Sequence, residues 1–264
     1  MAGNYKPPTT GEDQVVVSSE IGMRRRERAG ILSAPLITLG IILVNELVFL
    51  LFLQDTSFPL RLLNNWTNFP LGLVTAIFTP DSQVFLCYTG SFQASVCYAS
   101  YLAWLVMSAG SLGAYLVLFF VVNLGQSTRE LAVRSTFYAV MIIAISAVSN
   151  YLGLLREPGS IGPSTAIFAG LGIVLGFAAS NSIVWLRTSR ALHRARDVWA
   201  IGLGIALVIG LLGFALRDPA DFFNISSTQK VDATAHVFCF VVGTLTSVPV
   251  GLRFLLSHES RPTA

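Results

Sequence analysis

The sequence predicts an all-α integral membrane protein built as a bundle of six transmembrane helices. Hydrophobic residues make up 53% of its 264 residues and charged residues only 12%, about half the charged share of an average soluble domain. The apolar stretches are long and do not alternate with polar residues, which indicates membrane helices rather than barrel strands. Helices satisfy their own backbone hydrogen bonds in lipid. We therefore expect a helical bundle that is embedded in the lipid bilayer, which is its predicted partner.

Three segments follow from the hydropathy along the chain. Residues 1–29 are polar and end in an arginine cluster, so they are predicted to be a flexible basic tail on the cytoplasmic side. Residues 30–256 form the membrane domain, and residues 257–264 form a second cytoplasmic tail. The six spans are predicted at residues 31–53, 96–124, 136–155, 164–186, 198–216 and 233–256. A long, half-apolar loop separates the first two spans.

The distribution of positive charge predicts the orientation. Most basic residues fall on one side of the six-span arrangement: Arg24, Arg25, Arg26, Arg28, Arg129, Arg134, Arg187, Arg190, Arg194, Arg196, Arg253 and Arg261. The opposite side holds most of the loop acids. Cytoplasmic loops carry an excess of arginine and lysine, so both termini are predicted to be cytoplasmic in a multi-pass protein of the cell membrane. The net charge of +3 comes with basic residues that mark the cytoplasmic side of the membrane. It does not indicate a nucleic-acid partner, and none is predicted.

Two cysteines and two sequons of the chain lie on its predicted outer face. Cys87 and Cys97 share one outer loop, and this placement permits a disulfide if that face is oxidising. The sequons at Asn65 and Asn224 also fall outside, where glycosylation could occur. Cys239 lies in the last span and is most simply a packing residue. The histidines and cysteines show no metal-ligand spacing, and no phosphate-binding or dinucleotide motif occurs. Neither a metal nor an organic cofactor is predicted.

Polar residues within the spans are the first candidates for function, because they are costly to hold in a membrane. Glu46 is interpreted either as a neutral or hydrogen-bonded acid that fixes helix packing or as part of a proton relay. Ser164 begins the fourth span and His236 lies about one turn into the sixth, so both are expected at similar depth. An imidazole within reach can take the proton of a serine, which permits a Ser/His dyad. The competing interpretation of Ser164 is a structural serine that bonds a neighbouring backbone.

Two segments around these residues carry a family resemblance. Residues 162–172, Gly-Pro-Ser-Thr-Ala-Ile-Phe-Ala-Gly-Leu-Gly, resemble the fourth-span GxSG signature of rhomboid intramembrane serine proteases. Residues 232–243, which contain Ala235-His236, resemble the sixth-span pattern AHxxGxxxG of that family. Weaker similarity at residues 69–78 and 124–130 extends the match over most of the membrane domain. The resemblance implies that Ser164 is the nucleophile and His236 the general base.

The sequence also departs from that family. Its second span usually supplies a histidine and an asparagine, spaced HxxxN, and counting back from Gly125 puts Gly113 and Val117 at those places. Thr165 replaces the glycine that usually follows the serine, and Cys239 replaces the first glycine after the histidine. The candidates for replacing the missing oxyanion donors are the neighbours of the nucleophile, Gly162 and Thr165, together with Asn150 near the outer end of the third span.

Three functions from different classes follow from these features. The resemblance implies an intramembrane serine endopeptidase that cleaves transmembrane segments of membrane-protein substrates near the outer surface. The missing HxxxN favours instead a catalytically inactive, rhomboid-like protein that binds membrane clients. A small transporter is the third alternative, and it predicts internal repeats, of which the sequence shows none that is convincing.

Overall fold

The computed structural model describes residues 11–54, 69–75, 77, 94–124, 126–155, 164–188, 202, 205–206, 209–210 and 233–259. The described chain is built from helices: α1 (Gly11–Gln54), the short α2 (Gly72–Thr75), α3 (Ala94–Val122), α4 (Thr128–Leu154), α5 (Ser164–Thr188) and α6 (Ala233–Glu259). Four of them contain segments long and apolar enough to cross a membrane, Gly22–Val48, Thr128–Leu154, Ser164–Ile183 and Thr234–Arg253, and α3 contains the shorter apolar segment Ser108–Val122. The all-α class is therefore confirmed.

Five of the six predicted spans coincide with long helices of the structure. The described residues of the other predicted span, 198–216, are 202, 205–206 and 209–210, and they are helical. The helix of the first span is longer than expected, because α1 begins at Gly11, within the tail that was predicted to be flexible. Residues 11–29 contain no proline and several strong helix formers, so a helix anchored in the bundle can continue into a polar segment.

Helix α4 also begins earlier than its apolar stretch predicts, at Thr128. A capping box starts it: the Ser127 hydroxyl accepts a hydrogen bond from the Glu130 N–H at 3.3 Å, and the Glu130 carboxylate accepts one from the Ser127 N–H at 3.0 Å. This pair satisfies two N–H groups that have no partner within the helix. The polar first turns of α4 were predicted to be a loop, and the cap explains why they are helical.

Helix α5 is the centre of the bundle, and its residues 171–178 are all buried. It packs most closely on α6, where small residues let the two backbones approach each other. A Cβ at Gly243 would lie 2.7 Å from the carbonyl oxygen of Ala169, and a Cβ at Gly172 would overlap the carbonyl of Phe240. Helix α5 also contacts α3 and α4, and α4 in turn contacts α1.

Side-chain contacts between helices fix their directions. Phe168 stacks on His236, and Gly172 meets Phe240, each four residues further along, so α5 and α6 run parallel. Helix α3 runs in the same direction. Helices α1 and α4 run the opposite way, since Ser149 near the end of α4 contacts Ala235 near the start of α6. We refer to the end at which α5 and α6 begin as the Ser164 end of the bundle, and to the other end as the Arg134 end.

An arginine is completely buried at the Arg134 end. The Arg134 guanidinium donates hydrogen bonds to the side-chain oxygens of Asn123 at 2.6 Å and Asn181 at 2.9 Å, and to the carbonyl of Gly251 at 3.3 Å. It also lies over the ring of Phe177, 5.2 Å from its centroid. Asn123 directly follows α3, Asn181 belongs to α5 and Gly251 belongs to α6. One side chain of α4 therefore connects α4 to α3, α5 and α6. Arg134 is therefore a buried structural residue and not the exposed loop charge that the sequence predicted.

Candidate functional site

Ser164 is the first residue of α5 and is half-buried. The helix begins directly after Pro163 in the sequence, as expected of a residue that is tolerated only near a helix start. The first N–H groups of a helix have no partner within it, and the helix dipole gives this end a partial positive charge. Ser164 therefore lies where a negatively charged oxygen is stabilised.

His236 lies in the first turn of α6 and is only 3% exposed. Its imidazole stacks on the ring of Phe168, with centroids 4.4 Å apart and planes inclined by 23°. Phe168 follows Ser164 by four residues, so both side chains lie on the same face of α5. Side chains of a helix lean towards its N-terminus, and the imidazole therefore leans towards the level of Ser164. The structure thus puts the two predicted catalytic residues on neighbouring helices at one end of the bundle.

Phe168 was not among the residues selected from the sequence. Its spacing from Ser164 was visible there, but its contact with His236 depends on how α5 and α6 are aligned. A flat ring against one face of an imidazole restricts rotation of that imidazole about its side-chain bonds. The Phe168 ring therefore restricts the orientation of the His236 imidazole.

Thr165 is buried at the interface between α5 and α6. It precedes Gly172 and Gly176 by two and three turns, and both glycines lie directly against α6. Helical spacing therefore puts Thr165 on the face of α5 that packs on α6. Within the described part of the chain, the Thr165 hydroxyl has no hydrogen-bond partner. A buried hydroxyl without a partner is costly, and here it lies next to the predicted nucleophile.

Ser108 of α3 carries a second buried hydroxyl at the Ser164 end of the bundle. Buried residues of α3 recur at helical spacing as Ser108, Leu112, Phe119 and Val122. This stripe faces α5, because Phe119 packs edge-on against Phe177 at 5.9 Å and the carbonyl of Val122 accepts a hydrogen bond from the Asn181 side chain. These two contacts show that α3 and α5 run parallel. Counting back from them along both helices puts the buried Ser108 level with the first turn of α5. Ser108 was missed in the sequence because its importance depends on this alignment.

The positions counted from the sequence as the HxxxN pair do not face the site. Val117 is 61% exposed, and nothing among the described atoms lies within 4 Å of the place of a Cβ at Gly113. Both residues also lie further along α3 than Ser108, and so deeper from the Ser164 end. The two counted positions therefore do not lie at the Ser164 end of the bundle. The sequence of α3 contains neither histidine nor asparagine, so α3 supplies no HxxxN pair in any register.

Asn150 holds a loop segment against the bundle. Its side-chain NH₂ donates to the carbonyl of Leu73 at 2.8 Å. Asn45 of α1 makes the corresponding contact from the other side, donating to the carbonyls of Ile41 at 2.8 Å and Ile77 at 3.4 Å. The two asparagines thus fix residues 69–75 and 77 between α1 and α4, and we call these residues the docked loop. Asn45 was missed in the sequence, and the oxyanion role of Asn150 stays a prediction.

The remaining candidates are distributed as follows. Glu46 follows Asn45 in α1 and is half-buried, so both of its interpretations stay predictions. Cys239 is fully buried, as expected of a packing residue. Gly162, Cys87, Asn65, Asn224 and the side chain of Cys97 lie outside what the structure describes. Among the described residues, no group of three histidine, cysteine or acidic side chains could hold a metal ion.

The Ser164 end of the bundle therefore carries a serine at a helix start, a buried histidine that stacks on Phe168, and two further buried hydroxyls, Thr165 of the same helix and Ser108 of α3. These are groups that acyl transfer uses. Comparisons with the models of protein families, with curated proteins and with solved structures find no match to this chain.

Proposed function

We propose that this protein is a six-span, rhomboid-like intramembrane serine endopeptidase. The observation that carries the proposal is the stacking of His236 on Phe168, one helical turn from Ser164 on the same face of α5. A buried imidazole on the neighbouring helix, at the same end of the bundle as a serine at a helix start, supports a role as the base that activates a serine nucleophile. The similarity of residues 162–172 and 232–243 to the rhomboid signatures supports the same assignment.

In this mechanism, the Ser164 Oγ attacks the carbonyl carbon of the scissile peptide bond while His236 takes its proton. The oxyanion that forms is stabilised by N–H groups at the start of α5 and by the hydroxyls of Thr165 and Ser108. His236 then gives its proton to the leaving amine, and the C–N bond breaks. His236 then takes a proton from water, which attacks the carbonyl carbon of the acyl-enzyme. The bond to the Ser164 Oγ breaks, the new carboxyl end is released, and His236 returns the proton to Ser164.

The proposed substrates are transmembrane segments of other membrane proteins. In the topology of six spans with both termini in the cytoplasm, the Ser164 end faces outwards, and water reaches Ser164 from there. A substrate helix must unwind before its backbone can reach the nucleophile, so small or helix-breaking residues near its outer end favour cleavage. The protein is proposed to act in the cell membrane without a metal or an organic cofactor.

The test is reaction of the purified, full-length protein with a fluorophosphonate probe, together with cleavage of a generic transmembrane substrate. We expect Ser164→Ala and His236→Ala to abolish both signals. Ser182→Ala is a matched control, because Ser182 lies at the other end of α5 and only bonds the carbonyl of Ala178 at 2.8 Å. Loss of labelling in the control as well, or labelling that survives in Ser164→Ala, would contradict the assignment of the nucleophile.

One observation favours a second function. Helix α3 contains no histidine or asparagine, and loss of a single oxyanion donor typically costs about 10²–10³ in rate. A catalytically inactive, rhomboid-like protein that binds membrane clients would retain the same fold. It predicts no probe labelling and no cleavage in a protein that unfolds cooperatively on heating, with client binding unaffected by Ser164→Ala.

A further inference from the structure

A ridge of exposed side chains runs along α1 on the side away from α4. The leucines of this ridge recur at helical spacing and are all exposed: Leu32, Leu36, Leu39, Leu43 and Leu47. The opposite side of α1 is buried and contacts α4, where the Ala34 N–H donates to the Ser135 hydroxyl at 3.1 Å. Arg28 and Arg25 continue the leucine spacing towards the N-terminus, and Arg24 lies beside them. All three arginines are exposed. We call these eight residues the α1 ridge.

The depth of the arginines follows from the contact between α1 and α4. Gly30 packs against Ala132, because a Cβ at Gly30 would lie 2.9 Å from the Cβ of Ala132. Arg28 is therefore level with the first turn of α4, where Arg129 is exposed. The apolar segment Gly22–Val48 has 27 residues. At about 1.5 Å per residue it is about 40 Å long, whereas the hydrocarbon core is about 30 Å thick. With the leucines in the hydrocarbon, the arginines lie at the level of the lipid headgroups.

We propose that the α1 ridge is a binding site for an acidic phospholipid of the cytoplasmic leaflet. The guanidinium groups of Arg25 and Arg28, one turn apart, bind the headgroup phosphate, and the acyl chains lie along the leucines. Charge complementarity selects this occupant, because arginine binds phosphate through paired N–H donors and juxtamembrane basic clusters attract anionic lipids. The inference rests on the proposed topology but not on peptidase activity.

The experiment is titration of the purified, full-length protein in neutral detergent with phosphatidylglycerol or phosphatidylcholine of the same acyl chains, with bound lipid counted by native mass spectrometry. The test variant combines Arg24→Gln, Arg25→Gln and Arg28→Gln. The matched control combines Arg190→Gln, Arg194→Gln and Arg196→Gln, which removes the same charge from a predicted cytoplasmic loop. We expect phosphatidylglycerol to bind the wild type and the control at least tenfold more tightly than phosphatidylcholine, and the test variant to lose this preference.

Each other outcome overturns the proposal. Equal binding of the two lipids, or an unchanged preference in the test variant, shows that the ridge does not select an acidic headgroup. Glycerol phosphate that competes as well as the whole lipid indicates a soluble phosphate ligand. Conversion of a dimer to a monomer by Leu36→Ala with Leu43→Ala, with lipid binding unchanged, shows that a second copy of the chain covers the ridge. A loss in the loop control equal to that in the test variant shows that only net charge matters.

Discussion

The ring of Phe168 covers one face of the His236 imidazole, with the two centroids 4.4 Å apart. Because Phe168 and Ser164 occupy one face of α5, the same helix carries the proposed nucleophile and the ring that stacks on its proposed base. The distance between α5 and α6 at this level is therefore coupled to the geometry of the proposed dyad.

Replacing Phe168 should lower the catalytic rate without removing the nucleophile. In Phe168→Ala the imidazole loses its stacking partner, and a catalytic group misplaced by about 1 Å can cost about 10²-fold in rate. We expect kcat to fall by about ten- to a hundredfold while KM changes little. Phe168→Tyr keeps the ring and should retain most of the activity. The measurement is kinetics of substrate cleavage, with the rate of fluorophosphonate labelling as a second readout. A kcat in Phe168→Ala equal to that of the wild type would contradict the orienting role.

The hydroxyls of Ser108 and Thr165 should each contribute to the rate if they stabilise the oxyanion. Ser108→Ala and Thr165→Val remove a hydroxyl with little change in volume, and each should lower kcat by up to about 10²–10³. Thr165→Ser keeps the hydroxyl and serves as its control. Single-turnover cleavage separates this chemical step from substrate binding. If Thr165→Val and Thr165→Ser behave alike, the threonine contributes packing and not a hydrogen bond.

Removing the buried guanidinium at the Arg134 end should strongly destabilise the bundle. Arg134→Met leaves the side-chain oxygens of Asn123 and Asn181 without their donor, and each buried polar group left without a partner costs about 1–3 kcal/mol. We expect a loss of about 2–5 kcal/mol in the free energy of unfolding. Arg129→Met is the control, since Arg129 is exposed and a surface substitution typically changes stability by less than about 0.5 kcal/mol. Unfolding in mixed detergent micelles measures both, and equal effects would argue against a structural role for Arg134.

The close approach of α5 and α6 should make Gly172 intolerant of any side chain. A Cβ there would overlap the carbonyl of Phe240, and overpacking of this kind typically costs about 1–3 kcal/mol. Gly172→Ala should therefore lower the unfolding temperature and, by moving α5 from α6, also slow probe labelling of Ser164. Gly113→Ala is the control, because its Cβ position is open among the described atoms and alanine favours a helix by up to about 1 kcal/mol over glycine. A Gly172→Ala protein as stable as the Gly113→Ala protein would refute the close packing.

The contrast between Ser164 and Ser108 shows what could be predicted from one sequence. The helices that carry Ser164 and His236, and the places of the two residues near the helix starts, were predictable, because long apolar stretches and local motifs report on single helices. Ser108 and Phe168 were not, because their importance comes from the alignment of neighbouring helices, which no local pattern encodes. Arg134 was misinterpreted for the same reason: a charge near the end of an apolar stretch indicates a loop unless its buried partners are known. The helical residues before position 30 show that polarity alone does not predict a flexible tail.

Asn45 and Asn150 make a prediction that separates two roles for Asn150. Both donate side-chain hydrogen bonds to carbonyls of the docked loop. If Asn150 acts only as an anchor, Asn45→Ala and Asn150→Ala should increase hydrogen exchange in this loop by similar factors and reduce substrate cleavage to a similar extent. If Asn150 also donates to the oxyanion, Asn150→Ala should lower single-turnover cleavage by a further factor of about 10², without a matching increase in exchange. Hydrogen exchange and single-turnover cleavage on the same two preparations distinguish these cases, because Asn45 belongs to α1 and contacts the loop from the side away from Asn150.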